Sequence, residues 1–211
     1  MLLSDLEKDL RKKGFNLVAG VDEAGRGPLA GPVFAAAVIL PRNPRIKGLD
    51  DSKKLSPRAR DSVFDQIMQK AVCIGVGSCS ENKIDAINIL QATFCAMADA
   101  VRGLSSEPDI VLVDGNKKIP AIATLQKAVI GGDSKCACIA AASVIAKVLR
   151  DRHMKNLHRS YPQYGFDRHK GYGTRAHFAA IALSGACPAH RKSFLKNILH
   201  RQTISDSMIT R

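Results

Sequence analysis

No stretch of this 211-residue chain stays apolar and uncharged long enough to cross a bilayer. The longest run without charge, from Gly27 to Pro41, is short and broken by glycine and proline. The chain also lacks the basic segment, apolar segment and cleavage site of a secretory leader, because Asp5, Glu7 and Asp9 interrupt its start. A cytoplasmic protein is expected. Its six cysteines (Cys73, Cys79, Cys95, Cys136, Cys138 and Cys187) show no zinc spacing, and a chain of this size needs no disulfide staples, so they are read as buried thiols. Acids are scarce where bases are dense: residues 150–211 hold 12 Lys/Arg against 3 acids, together with all six histidines, within an overall net charge of +13. A basic excess concentrated in this way points to a polyanionic partner, nucleic acid before others.

What is present is a globular composition, 45% hydrophobic and 24% charged, in a length that suits one domain. The chain is organised around Val18 to Leu40. An apolar run ends in Asp22 and Glu23, passes through Gly25-Arg26-Gly27-Pro28 and returns as a second apolar run. That pattern predicts strand, acidic strand end, glycine loop, strand. Neighbouring strand side chains point to opposite faces, so Asp22 and Glu23 can share a metal only where the strand twists, bulges or ends. Gly25 and Gly27 let the backbone approach a ligand, and Arg26 adds a fixed positive charge with a planar donor fork.

Along the rest of the chain, a short polar helix over residues 1–13 is expected at the periphery. Ser56 caps a helix with Pro57 at its first position. Residues 72–78 read as a strand whose Gly75 and Gly77 predict close backbone packing, and 87–104 as a core helix ended by Gly103. Residues 108–114 read as a strand covered on both faces and closed by Asp114, and 124–130 as another. The longest helix is expected over 134–158, its alanines packed tightly on the sheet. Beyond it come an aromatic and basic loop over 161–174, a helix from Thr174 to Gly185, and a last basic helix over 190–200. This order argues for an α/β fold with a mixed sheet.

Asp22, Glu23 and Asp114 would all lie at strand ends, where ligand sites of open α/β sheets gather. Carboxylates converging in a basic protein repel one another unless cations bridge them, which argues for metal. Asp133 has a competing explanation, since an Asp before a helix can serve as its N-cap alone.

The string Asp22-Glu23-Ala24-Gly25-Arg26-Gly27-Pro28-Leu29-Ala30-Gly31-Pro32 resembles the signature of the type 2 ribonucleases H, the ribonuclease HII family. Further segments agree in order: Asp51-Ser52-Lys53-Lys54-Leu55 resembles the family's DSKKL loop, Gly131-Gly132-Asp133-Ser134-Lys135 its segment with a fourth acid, Lys170-Gly171-Tyr172-Gly173-Thr174 its KGYGT segment and His190-Arg191-Lys192-Ser193-Phe194 its HRxSF element. The resemblance covers residues 15–195 and implies a ribonuclease H-like mixed sheet flanked by helices with a helical C-terminal extension. It divides the chain into an N-terminal helix (1–14), a catalytic domain (15–200) and a tail (201–211). It also implies Asp22, Glu23, Asp114 and Asp133 as catalytic metal ligands for two Mg²⁺ or Mn²⁺ ions. Substrate contacts are implied from Gly25, Arg26, Gly27, Ser52, Lys53 and Tyr172. The partners implied are RNA–DNA hybrids and duplex DNA containing single ribonucleotides, cut on the 5′ side of the ribonucleotide, and the chain is expected to act as a monomer away from membranes.

Two other readings stand beside this one. A metal-dependent nuclease acting on DNA alone would use the same acids but has no need of the glycine loop together with Tyr172. A non-catalytic nucleic-acid-binding module would use the basic C-terminal part, yet clustered acids would weaken its hold on phosphate.

Overall fold

β1 (Val18–Ala24) is the central strand of a five-stranded sheet. It pairs antiparallel with β2 (Val33–Ile39) across the glycine loop and parallel with β4 (Ile110–Asp114). β3 (Cys73–Cys79) extends the sheet beyond β2, and β5 (Gln126–Val129) lies parallel beside β4, giving the order β3-β2-β1-β4-β5. The computed structural model describes residues 4–196. The sheet is the mixed one that the strand pattern predicts, covered by helices on both faces.

One face carries α2 (Pro57–Lys70) and α5 (Ala137–Ser160), which bury Ala36, Val38, Val63, Ile67, Ala141 and Ile145 between them. Ala140, Ala141, Ala142 and Ala146 are fully buried, and the small side chains let α5 approach β1 closely. Gly20 marks the contact: a Cβ there would collide with the backbone of Cys138 and Ile139. The other face carries α3 (Glu81–Arg102), where a Cβ on Gly75 or Gly77 would meet the carbonyls of Ala100 and Ala96. By length and composition α3 could cross a bilayer, yet Ile84, Ala92, Ala96, Met97 and Ala100 sit in the core against the sheet, as in the core helix of a globular fold.

Four elements differ from the sequence expectation: the segment expected as a loop over 161–174 holds a 3-10 turn and a short helix, and three helices start or sit elsewhere than expected. α3 starts at Glu81 rather than residue 87, with a kink at Asn88 (φ 66°). The Asn88 side chain accepts from the N–H groups of Leu90 (3.0 Å) and Gln91 (3.1 Å), so it caps the second segment of one long element. The long helix starts at Ala137, after the separate four-residue α4 (Gly132–Lys135). And α1 (Asp5–Lys12) is not peripheral: Glu7 is 1% exposed and holds the start of α5. Among the described residues all six cysteines are free, with Cys95 and Cys187 only partly buried.

After α5 the chain folds back through a 3-10 turn (Pro162–Tyr164), α6 (Phe166–His169) and α7 (Arg175–Ser184). Tyr164, Phe166 and Ala189 pack with Met154 of α5 and Ala30 of the glycine loop. This helical extension therefore sits beside the acidic end of β1. A last helical turn occupies 192–196, after His190 in an isolated bridge to Ala30; residues 197–200 of the helix expected over 190–200, and the tail, lie outside the described residues.

Candidate active site

Asp22 and Glu23 stand within the β1–β2 ladder, paired with Ala36 and Ala35, and the ladder continues to Ala24. Asp22 lies on the α5 side and is 4% exposed; Glu23 lies on the α3 side, lining a cleft with Asp114, Arg26 and Phe94. Ser143 of α5 hydrogen bonds to Asp22, and its Oγ lies 2.8 Å from that of Ser52. Ser52 is 3% exposed, so the phosphate contact expected for it has no open surface. Its hydroxyl is turned inward to Ser143 instead.

The other acids come from the next strand and the short helix. Asp114 ends β4, and its Oδ1 accepts the Gly132 N–H at 2.7 Å. Asp133 lies inside α4 and caps nothing: Gly131, in the left-handed region, holds the N-cap position, and the start of α5 is capped by Glu7. Asp133 Oδ2 meets Lys53 Nζ at 3.1 Å, and Glu23 Oε1 meets Arg26 at 3.1 Å. All four acids thus come from the same end of the sheet, with Arg26 paired to Glu23 and Lys53 to Asp133.

Their titration reflects the crowding. Burial first, then the charges of Glu23 and Asp114, push Asp22 well above the usual carboxylate range. Burial also raises Glu23, against the pull of Arg26, and raises Asp114, with Asp133 adding to it. Among the described residues no three Asp, Glu, His or Cys side chains already stand as a closed metal cage. The donor set nonetheless fits a hard divalent cation. It offers carboxylate oxygens only, and their repulsion is what such a cation relieves. Asp22, Glu23, Asp114 and Asp133 would hold it.

Sequence reasoning missed the support beneath the glycine loop. Arg191, fully buried, donates to the carbonyls of Gly25 (2.6 Å), Arg26 (3.0 Å) and Gly31 (2.9 Å). Arg150, 1% exposed, donates to those of Pro32 (3.1 Å) and Ala30 (3.2 Å). Burial first, and then the charge of Arg150, push Arg191 down to about 9. The loop carbonyls are turned inward onto these arginines, while the Arg26 and Gly27 N–H groups donate to no protein acceptor among the described residues. Gly25 (φ +100°) takes a backbone that other residues rarely adopt, and a Cβ there would strike Arg150. The signal for Arg191 was its place in the HRxSF element, but its target was invisible.

Tyr172 is 46% exposed and belongs to the same surface: a Cβ at Gly27 would lie 3.7 Å from Tyr172 Cε1. Behind it, His177 Nδ1 donates to the Tyr172 carbonyl (2.9 Å), and His177 Nε2 lies 3.0 Å from His190 Nε2. His190 Nδ1 accepts the Cys187 N–H at 3.0 Å, so His190 donates to His177 and both rings are neutral. Burial pushes His177 down to about 4.

A mixed sheet with carboxylates at its strand ends and a helical extension beside them defines a nuclease of the ribonuclease H-like fold. The chain belongs to the ribonuclease HII family, whose model matches residues 19–197. It is 56% identical over 178 residues to the ribonuclease HII of Delftia acidovorans, covering 84% of this chain and 75% of that one. It is 52% identical over 195 residues to that of Caldicellulosiruptor saccharolyticus, covering 92% and 95%. The ribonuclease HII solved with PCNA from Archaeoglobus fulgidus superposes with a TM-score of 0.68 at 28% identity, over 83% of this chain and 94% of that one. The protein is accordingly a metal-dependent endoribonuclease of the ribonuclease H class, acting on RNA–DNA hybrids.

Proposed function

We propose that the enzyme also cuts duplex DNA on the 5′ side of a single embedded ribonucleotide, using two divalent cations, Mg²⁺ or Mn²⁺, held by Asp22, Glu23, Asp114 and Asp133. The observation that carries this reading is that the Leu29 N–H, on the Gly171 carbonyl at 2.8 Å, holds the exposed Tyr172 beside the glycine loop whose Arg26 lines the cleft of Glu23 and Asp114. A nuclease indifferent to ribose has no use for that pair.

Each residue has a part. The N–H groups of Arg26 and Gly27 face the substrate and can bond the 2′-OH, the group that separates RNA from DNA. Tyr172 offers an exposed ring to the adjoining deoxyribose. Arg26 and Lys53, each now paired to an acid, are placed to take phosphate oxygens as the cations enter. When bound, the cations supply an activated water for in-line attack and neutralise the leaving oxygen. The chain acts as a monomer in the cytoplasm, with residues 15–200 as its catalytic unit.

The test is incubation with Mg²⁺ or Mn²⁺ and a DNA duplex carrying one ribonucleotide, beside an all-DNA duplex and an RNA–DNA hybrid. Cleavage 5′ of the ribonucleotide, with the all-DNA duplex intact, is the expected result. Cleavage of the hybrid alone would remove the excision role, and cleavage of all three would remove ribose recognition.

A further inference from the structure

Along one side of α5, starting at Ser143 beside Asp22, charged residues recur at every fourth position: Lys147, Asp151 and Lys155. At about 1.5 Å of rise per residue, Asp151 and Lys155 stand about 12 and 18 Å from Ser143 along the helix. There they border a cleft of about 360 Å³, lined also by Arg60 and Asp61 of α2, Arg152 of α5 and Lys170 after α6.

The charges of this cleft do not balance. Asp151 is shared by Lys147 (2.6 Å) and Arg60 (3.6 Å), and Asp61 is matched by Arg152 (3.7 Å). Lys155 and Lys170 are in no ion pair among the described residues. The ammonium of Lys170 donates to the Asp167 carbonyl, and its backbone is held at φ 53°, where a side chain other than glycine is strained. Burial first, and the charges of Lys155 and Lys147 against that of Asp151, push Lys170 below its ordinary value. A cation withdrawn from water beside other cations is costly until an anion joins it.

We propose that this cleft is a phosphate subsite for the substrate duplex, in which Lys155 and Lys170 take a backbone phosphodiester remote from the scissile bond. It rests on the hybrid duplex being the substrate. With one phosphate per about 3.4 Å of strand, a distance of 12 to 18 Å places that phosphate about four or five nucleotides from the cut. The lining offers four cations, two carboxylates already engaged by Arg60, Lys147 and Arg152, and no Asn, Gln or aromatic ring to read a base, so the contact carries no sequence information. Arg60 links the subsite to the chemistry, since it also donates to the carbonyls of Ser52 (2.9 Å) and Leu55 (2.9 Å), bracketing the loop that carries Lys53. Capture of a remote phosphate thereby bears on the same loop that reaches Asp133.

The experiment compares Lys155→Gln and Lys170→Gln, singly and together, with a Lys12→Gln control on α1 that removes the same charge elsewhere. Equilibrium binding is measured by fluorescence anisotropy on two RNA–DNA hybrids, one reaching about eight nucleotides to each side of the cut and one about two, across a salt series. The double variant should lose about tenfold more affinity for the long hybrid than for the short, and its log–log salt slope should flatten by about 1 to 2 units. Equal losses on both lengths, an unchanged slope, or the same loss in Lys12→Gln would each overturn the subsite. Binding decides this even if the wild type fails to cleave, and that failure would count against the proposed function instead.

Discussion

Glu7 Oε1 accepts the backbone N–H of Cys138 at 3.0 Å, and its Oε2 accepts that of Ala137 at 2.9 Å, so a side chain from α1 caps the longest helix of the fold. The N-cap residue of α5, Cys136, makes no side-chain cap of its own. A carboxylate at a helix N-terminus satisfies N–H groups that have no intrahelical partner and meets the positive end of the helix dipole. Glu7→Ala should therefore cost about 1 to 2 kcal/mol of stability. Thermal and urea denaturation measure it; an unchanged midpoint would make α1 the ornament that its polar sequence suggests.

Asp22→Asn and Asp114→Asn should each abolish hybrid cleavage in single-turnover assays while duplex binding persists. Asp22→Asn should also raise the melting temperature of the metal-free protein at neutral pH. Burial and neighbouring charges raise the pKa of Asp22, so the folded state resists its ionisation, and the neutral amide escapes that cost. The gain should vanish at low pH, where the wild-type carboxyl is itself protonated. Near wild-type cleavage by either variant would exclude that residue as a metal ligand.

Tyr172→Ala should impair cutting at a single ribonucleotide more than Tyr172→Phe does, because the ring supplies packing. Loss of one stacking platform is worth about 1 to 3 kcal/mol, roughly a five- to hundredfold fall in efficiency. Since the ring is exposed, melting should hardly change. Early melting with parallel loss on long hybrids would make the tyrosine a structural anchor.

The His177 pair behind Tyr172 gives a pH dependence with a definite sign. The folded-state pKa of His177, about 4, lies below its ordinary 6.5, so its contribution is complete above 6.5 and is lost as the pH falls towards 4. The melting temperature of the wild type should drop through that window more steeply than that of His177→Asn. Parallel curves would show that the pair does not titrate there.

The local sequence by itself determined the strands and the starts of two helices, those capped by Ser56 and Thr174. Apolar runs closed by Asp22, Glu23 and Asp114 dictate strands with acidic ends, and Ser56 and Thr174 each cap a helix through a hydroxyl, whereas the cap at Ser80 went unread and the helix it opens was expected to start at residue 87. Asp133 was legible as important only through its resemblance, because spacing made it a cap and the fold made it a partner of Lys53. What the tertiary structure alone decided are the long-range choices: Glu7 reaching α5, Ser52 turned inward to Ser143, and Arg191 reaching 166 residues back to Gly25. Periodicity records which face of an element is apolar, whereas the partner of a buried polar group depends on which elements the sheet order brings together, and no local pattern encodes that.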